Sequence, residues 1–145
     1  LVWEGRHDAL SNQIYVLGEQ FQRIERVAGK CDLVVTDSPV LFSAIYMPQK
    51  FPESLRHLSL WCFRQYPSIN VFVDRPAGYE SVGRIETRAQ AEEVDRRVLT
   101  FLEAEGIEPV HRVTSRQADA RMIAERAIAW LDADGGPIGH RQAAE

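Results

Sequence analysis

Apolar residues recur every three or four positions along the first part of the chain, which is the spacing of one face of an α-helix. The pattern predicts a helix over residues 8–28, with Asp8 as its N-cap and Gly29 as the residue that ends it. The apolar stripe of this helix consists of Leu10, Ile14, Leu17, Phe21, Ile24 and Val27.

Three short segments predict strands of a parallel sheet, and the first two are apolar runs that predict buried strands. The first, residues 33–37, ends in Asp37; the second, residues 69–73, is followed by Asp74 and Arg75. The third covers residues 109–113. Runs of this length without polar alternation are typical of strands that are covered on both faces.

The segments between and after these runs predict helices. One covers residues 53–65, a second begins at a capping box of Thr87 and Gln90 and ends near Gly106, and a third begins at Thr114 and continues past residue 130. Alternating strands and helices predict an α/β fold with a parallel sheet. We expect one domain over residues 1–133 and a flexible tail over 134–145.

Composition and charge narrow the function classes. The chain has 145 residues, 45% hydrophobic and 26% charged, which are ordinary values for a globular domain and exclude wholesale disorder. The net charge of −4 argues against a protein that coats nucleic acid, and no apolar run is long enough to cross a membrane. The two cysteines show no metal-ligand spacing. A cytoplasmic location is therefore expected.

Candidate chemistry lies where predicted strands end, because open α/β sheets bind ligands at the carboxyl ends of their strands. Asp37 is in the position from which an acid holds Mg²⁺, although an acid there also caps the next helix. Arg75, Arg84 and Arg88 flank a glycine-bearing segment, residues 77–83. These arginines either close over phosphates as a lid or lie on a solvated loop.

Several short motifs, taken in order, resemble one protein family. They are the run at residues 32–39 (Asp-Leu-Val-Val-Thr-Asp-Ser-Pro) with Leu41-Phe42-Ser43, then residues 71–75 (Val-Phe-Val-Asp-Arg), Tyr79, Gly83-Arg84, Glu86-Thr87, Ala91-Glu92 and Val94-Asp95. The preceding helix, residues 12–23, fits the same order. Together they resemble the P-loop nucleoside and nucleotide kinase-like ATPases encoded by bacteriophages, over residues 2–131.

The resemblance implies a three-layer P-loop kinase-like parallel sheet and an ATP-dependent phosphotransferase that uses ATP and Mg²⁺. It implies that Asp37 binds the metal and acts in catalysis with Arg75 and Arg84, and that Arg75, Arg84 and Arg88 bind the phosphates of ATP. The acceptor, a small nucleoside or nucleotide, would contact the predicted first helix through three further residues. These are Asn12, Gln20 and Arg23.

One feature of the family is missing from this sequence. No segment matches the phosphate-binding motif GxxxxGK[ST], and Gly29-Lys30-Cys31 lacks both the first glycine and the hydroxyl. Relative to the family, the chain is expected to lack the first strand, the phosphate loop and the second strand. We therefore expect it to be marginally stable alone or to form a homodimer through open sheet edges. The alternative function is a non-catalytic nucleotide-binding or interaction module.

Overall fold

The computed structural model describes residues 11–37, 39–48, 50–75, 87–108, 111–114 and 117–134. Two compact units divide the chain: Leu1–Pro67 with Gly135–Glu145, and Ser68–Asp134. The first unit contains helices α1 (Gln13–Val27), α2 (Phe42–Ile45) and α3 (Glu53–Arg64). The second contains strand β1 (Val71–Val73), helix α4 (Arg88–Ala104), strand β2 (His111–Val113) and helix α5 (Gln117–Asp134).

Helix α1 begins later than its apolar pattern predicts. Its N-cap is Asn12, whose side-chain oxygen accepts a hydrogen bond from the backbone N–H of Tyr15 at 3.3 Å. Asp8, the predicted cap, lies outside the described residues. The predicted end of the helix is confirmed, because Gly29 follows the C-cap with a φ of +71°, a conformation that glycine adopts without a steric penalty.

The core of the first unit lies among helices α1, α2 and α3. Leu17 of α1 packs with Val40, Leu55 and Cys62, and four partly buried aromatic or aliphatic side chains surround them together with Met47. Those four are Phe21, Ile24, Phe51 and Phe63. The hydroxyl of Ser59 in α3 donates to the backbone carbonyl of Val40 at 2.7 Å. This hydrogen bond connects the segment that precedes α2 to α3.

The prediction of a buried strand over residues 33–37 is wrong. Residues 33–36 form no regular structure, Leu33 is exposed, and the side chain of Val35 is 87% exposed. An extended segment becomes a strand only when a neighbouring strand satisfies its backbone groups, and no described residue is paired with it in a sheet. Its apolar composition therefore does not lead to burial here.

The other two predicted strands are confirmed in shortened form and pair with each other. Strands β1 and β2 run parallel, with Val71 opposite His111 and Val73 opposite Val113. The ladder continues one residue further, because the backbone N–H of Asp74 donates to the carbonyl of Val113 at 2.7 Å. Residues 109–110, the start of the third predicted strand, lie outside the described residues.

Helix α4 follows its local signals at both ends. The capping box is present: Thr87 accepts from the N–H of Gln90, and the Gln90 side chain accepts from the N–H of Thr87. At the other end Gly106 has a φ of +63°, and the N–H of Ile107 donates to the carbonyl of Leu102 at 2.8 Å. Together with the buried side chain of Ile107, this is a Schellman ending.

Helix α5 reaches into the predicted tail. It continues to Asp134, the first residue that the sequence assigned to that tail. Just before its start, the backbone N–H and the hydroxyl of Thr114 both donate to the carboxylate of Asp119, which lies in its first turn. The remaining residues of the predicted tail, 135–145, lie outside the described residues.

Candidate functional site

The carboxyl end of the parallel strand pair carries two arginine–aspartate ion pairs. In the first, Nε of Arg112 donates to both carboxylate oxygens of Asp74, at 2.8 and 3.0 Å. Arg112 lies opposite Phe72 in the ladder, and its guanidinium is 5.7 Å from the centre of that ring. Because residues two apart share a face of a strand, Phe72, Asp74 and Arg112 lie together on one face of the sheet.

The second ion pair involves Arg75, a predicted catalytic and ATP-binding residue. Its Nε donates to Oδ2 of Asp95 at 2.6 Å, and its Nη2 donates to Oδ1 at 3.0 Å. Asp95 belongs to α4, two turns after the cap at Thr87. The pair thus links the end of β1 to a helix of the same unit. In the sequence, Asp95 stands out only as part of the motifs that carry the resemblance, and no local pattern indicates that it pairs with Arg75.

Of the other two predicted phosphate-binding arginines, Arg88 lies within the described residues and Arg84 does not. Arg88 is the first residue of α4 and pairs with Glu92 one turn later, with Nε and Oε1 2.8 Å apart. Both side chains of this pair are exposed, so the pair contributes little to stability. Arg84 and the rest of the predicted lid, residues 76–86, lie outside the described residues.

Asp37, the predicted metal ligand and catalytic acid, belongs to the first unit. It is exposed and follows the irregular segment 33–36 rather than a strand. Next to it, Ser38 lies outside the described residues, and the chain re-enters regular structure only at α2. The predicted strand-end context of Asp37 is therefore wrong, whereas its metal role stays a prediction.

Helix α1 directs the three predicted acceptor-binding residues into different surroundings. Asn12 caps the helix, so its oxygen serves the helix backbone. Arg23 is exposed, with Nη2 3.9 Å from a carboxylate oxygen of Glu19. The side-chain oxygen of Gln20 is instead buried, and no described residue donates a hydrogen bond to it. Of the three, only Gln20 has an unsatisfied polar atom facing the interior.

A second buried polar atom of the first unit has no hydrogen-bond partner among the described residues. Ser43 in α2 is fully buried, and its hydroxyl makes no hydrogen bond to any described residue. A buried donor or acceptor without a partner costs about 1–3 kcal/mol. Such atoms, like Gln20 Oε1, are places where a water or a polar group of a ligand would restore a hydrogen bond. The resemblance had indicated Gln20 as an acceptor-binding residue, whereas no feature of the sequence indicated a buried polar role for Ser43.

Aromatic side chains of α1 and α3 form a cluster on the first unit. The ring of Phe21 is 5.9 Å from that of Trp61 and 6.3 Å from that of Tyr66, and both pairs are tilted. Trp61 is largely exposed, while Tyr66 is buried and donates its hydroxyl hydrogen bond to Glu25. The ring of Tyr66 therefore packs in the interior, whereas the ring of Trp61 is largely in contact with solvent.

The tyrosine of this cluster gives an alkaline dependence of stability. Burial, reinforced by the hydrogen bond to Glu25, raises the pKa of Tyr66 from about 10 to about 12. Since the folded state holds this proton more tightly than the unfolded state, the contribution is present below pH 10 and is lost as the pH rises toward 12. We expect the free energy of unfolding to fall over that interval, measured by denaturant titration at fixed pH.

The matched variants isolate this contribution. Tyr66→Phe removes the titrating hydroxyl, so the fall in stability between pH 10 and 12 should be smaller than in the unaltered chain. Tyr15→Phe, which alters an exposed tyrosine of the same unit, should leave the fall unchanged. Equal pH profiles for all three proteins would show that the hydrogen bond between Tyr66 and Glu25 is not coupled to folding.

The described residues contain neither a cluster of metal-binding side chains nor a membrane-spanning helix. Within those ranges no group of three or more histidine, cysteine, aspartate or glutamate side chains is arranged to hold a metal ion. A Mg²⁺ ion bound with nucleotide phosphates needs only one or two protein carboxylates, so a single carboxylate such as that of Asp37 is a suitable type of ligand.

None of the helices in the described ranges is both long and apolar enough to span a bilayer.

Comparisons with known proteins leave the family of the chain open. No protein-family model matches the sequence, and neither the curated proteins nor the solved structures contain a match. The functional assignment therefore depends on the residues themselves and on the arrangement described above.

Proposed function

We propose that the chain is part of an ATP-dependent phosphotransferase of the nucleoside or nucleotide kinase kind. Its donor is Mg-ATP, and its acceptor is a hydroxyl or phosphate group of a small nucleotide-type molecule. The observation that carries the proposal is the parallel pairing of β1 with β2, with Asp74 and Arg75 directly following β1. This is the sheet edge at which open α/β folds bind their ligands.

In this proposal the basic residues neutralise phosphate charge. Arg75 is held at the sheet edge by Asp95, and Arg88 begins a capped helix in the same unit. Arg84 is assigned the same task on sequence grounds. Catalysis of phosphoryl transfer depends mainly on positioning and on charge stabilisation, which is the chemistry that arginine forks supply.

Asp37 is the residue proposed to hold the metal. An exposed carboxylate is accessible to a hydrated Mg²⁺, which keeps several of its waters when it binds with nucleotide phosphates. When bound, Mg²⁺ neutralises charge on the phosphate oxygens. The carboxylate of Asp37 would supply one anionic oxygen to that ion.

On the acceptor side, Gln20 is the best-supported residue of the three on α1. Its buried oxygen lacks a donor within the described ranges, so an N–H or O–H group of an acceptor would remove an energetic penalty. Arg23, being exposed on the same helix, is suited to an acceptor phosphate. Both roles, like a location in the cytoplasm or in the host cytoplasm for a phage protein, belong to the proposal.

A specific observation favours the second candidate function, a module that binds nucleotide or a protein partner without catalysis. The sequence contains no GxxxxGK[ST], and backbone N–H groups of that loop are what normally cradle the phosphates. The exposed apolar segment at residues 33–36 is also suited to contact with another polypeptide. Such a module would bind a nucleotide or a protein partner without transferring phosphate.

One experiment separates the two functions. The full chain is incubated with γ-labelled ATP, Mg²⁺ and a panel of nucleosides and nucleotides, and labelled products are separated by chromatography. We expect transfer that requires Mg²⁺ and is abolished by a chelator. ATP binding by calorimetry with no labelled product would favour the module, and absence of both binding and transfer would contradict the proposal.

A further inference from the structure

The ion pair between Arg75 and Asp95 has the geometry of an orienting contact. Two parallel hydrogen bonds, from Nε and Nη2 to the two carboxylate oxygens, define the plane of the guanidinium as well as its position. The side chains of Arg75 and Asp95 are 32% and 26% exposed, respectively, so the contact is partly removed from solvent. Exposed ion pairs are often transient, whereas a bidentate, partly buried pair holds its partner in one orientation.

The element that carries Asp95 is well anchored. Helix α4 starts at a complete capping box and ends in a Schellman motif, and its residues Ala91, Val98 and Leu102 are buried. Asp95 therefore projects from a rigid helix, while Arg75 follows the last paired residue of β1. A flexible arginine loses rotamer freedom when it is ordered, and a carboxylate on a rigid element imposes that order before any ligand arrives.

We propose that Asp95 is the positioning residue for Arg75, an inference that rests on the proposed phosphotransferase function. The contact uses the side edge of the guanidinium, formed by Nε and Nη2. The end edge, formed by Nη1 and the second N–H of Nη2, has the spacing that matches two phosphate oxygens. By fixing the side edge, Asp95 sets the direction of the end edge at the carboxyl end of β1.

An opposite effect of Asp95 is conceivable on charge alone. Its carboxylate cancels the charge of Arg75, as Asp74 does for Arg112, so a purely electrostatic account treats Asp95 as a competitor of phosphate. Removing a competitor raises phosphate affinity, whereas removing an orienting contact lowers it. The sign of the change on Asp95→Asn therefore decides between the two.

The test measures binding of inorganic tripolyphosphate to the full chain by calorimetry. We expect Asp95→Asn and Arg75→Ala each to weaken binding about tenfold or more, and the double variant to be no weaker than Arg75→Ala. Glu93→Gln is the matched control, because Glu93 pairs with Arg96 on the exposed face of the same helix. Its affinity should equal that of the unaltered chain.

A charge-reversed pair separates the effect of the contact on stability from its effect on phosphate binding. The variant with both Arg75→Asp and Asp95→Arg can re-form the ion pair, so its melting temperature should recover relative to Asp95→Asn. Its tripolyphosphate affinity should stay low, because the cation then projects from α4 instead of from the end of β1. Affinity that recovers along with the melting temperature would overturn the positioning role.

The remaining outcomes distinguish this inference from the function on which it rests. Affinity that is unchanged or raised in Asp95→Asn overturns the inference, even if labelled phosphate is transferred normally. A wild-type chain that does not bind tripolyphosphate also overturns it. If affinity depends on Asp95 as expected but no phosphate is transferred from ATP, the phosphotransferase proposal fails and the positioning role stands.

Discussion

Replacing Asp37 by asparagine should slow transfer of the γ-phosphate by about a hundredfold or more while leaving the melting temperature nearly unchanged. Asparagine keeps the size of the side chain but removes the negative charge that a hard cation such as Mg²⁺ requires. Asp37 is exposed and lies outside helices and strands, so its loss should cost little folding energy. The measurements are the initial rate at saturating ATP and the Mg²⁺ concentration that gives half of that rate.

The control for this variant is Asp32→Asn. Asp32 is an exposed acid five residues earlier in the same segment, and it has no proposed part in the reaction. Its rate and Mg²⁺ requirement should match those of the unaltered chain. A decrease smaller than about tenfold for Asp37→Asn, equivalent to about 1.4 kcal/mol of barrier, would favour the alternative in which Asp37 only caps the following turn.

The second large effect concerns stability. Leu17→Ala should lower the free energy of unfolding by about 2–5 kcal/mol, because it removes a fully packed side chain from the core of the first unit and leaves a cavity. Marginal stability makes this a large fraction of the total for a small domain. Denaturant unfolding followed by circular dichroism gives the value directly.

Leu58→Ala provides the matched comparison, since it deletes the same atoms from an exposed position on α3. We expect a change within about 0.5 kcal/mol for this variant. Equal losses at Leu17 and Leu58 would mean that the contacts among α1, α2 and α3 do not form the core of this unit. A loss confined to Leu17 would support the core described above.

The helices were largely predictable because their signals are local. A stripe of apolar residues at a spacing of three or four, a capping box at Thr87 and Gln90, and glycines at positions 29 and 106 each act within a few residues. The start of α1 was not predicted, because Asp8 and Asn12 are both good caps, and the choice between them depends on the packing of the first turn.

Strands depended on tertiary context. Residues 33–37 and 69–73 have similar apolar, β-branched compositions, yet only the second forms a strand within the described ranges. A strand is stabilised by hydrogen bonds to a neighbour that can be distant in sequence, and residues 69–73 find that neighbour in β2. Composition therefore predicts the capacity to form a strand, whereas pairing decides whether it forms.

The same division applies to the candidate site. The sequence by itself determined the main helices, the order of strand and helix from residue 69 onward, and a set of charged residues following a strand. Only the tertiary structure decided that Arg75 pairs with Asp95, that Asp74 pairs with Arg112, and that the oxygen of Gln20 is buried with no donor among the described residues. Helix signals act over a few residues, but an ion pair spanning 20 or 38 residues depends on how the chain folds back on itself.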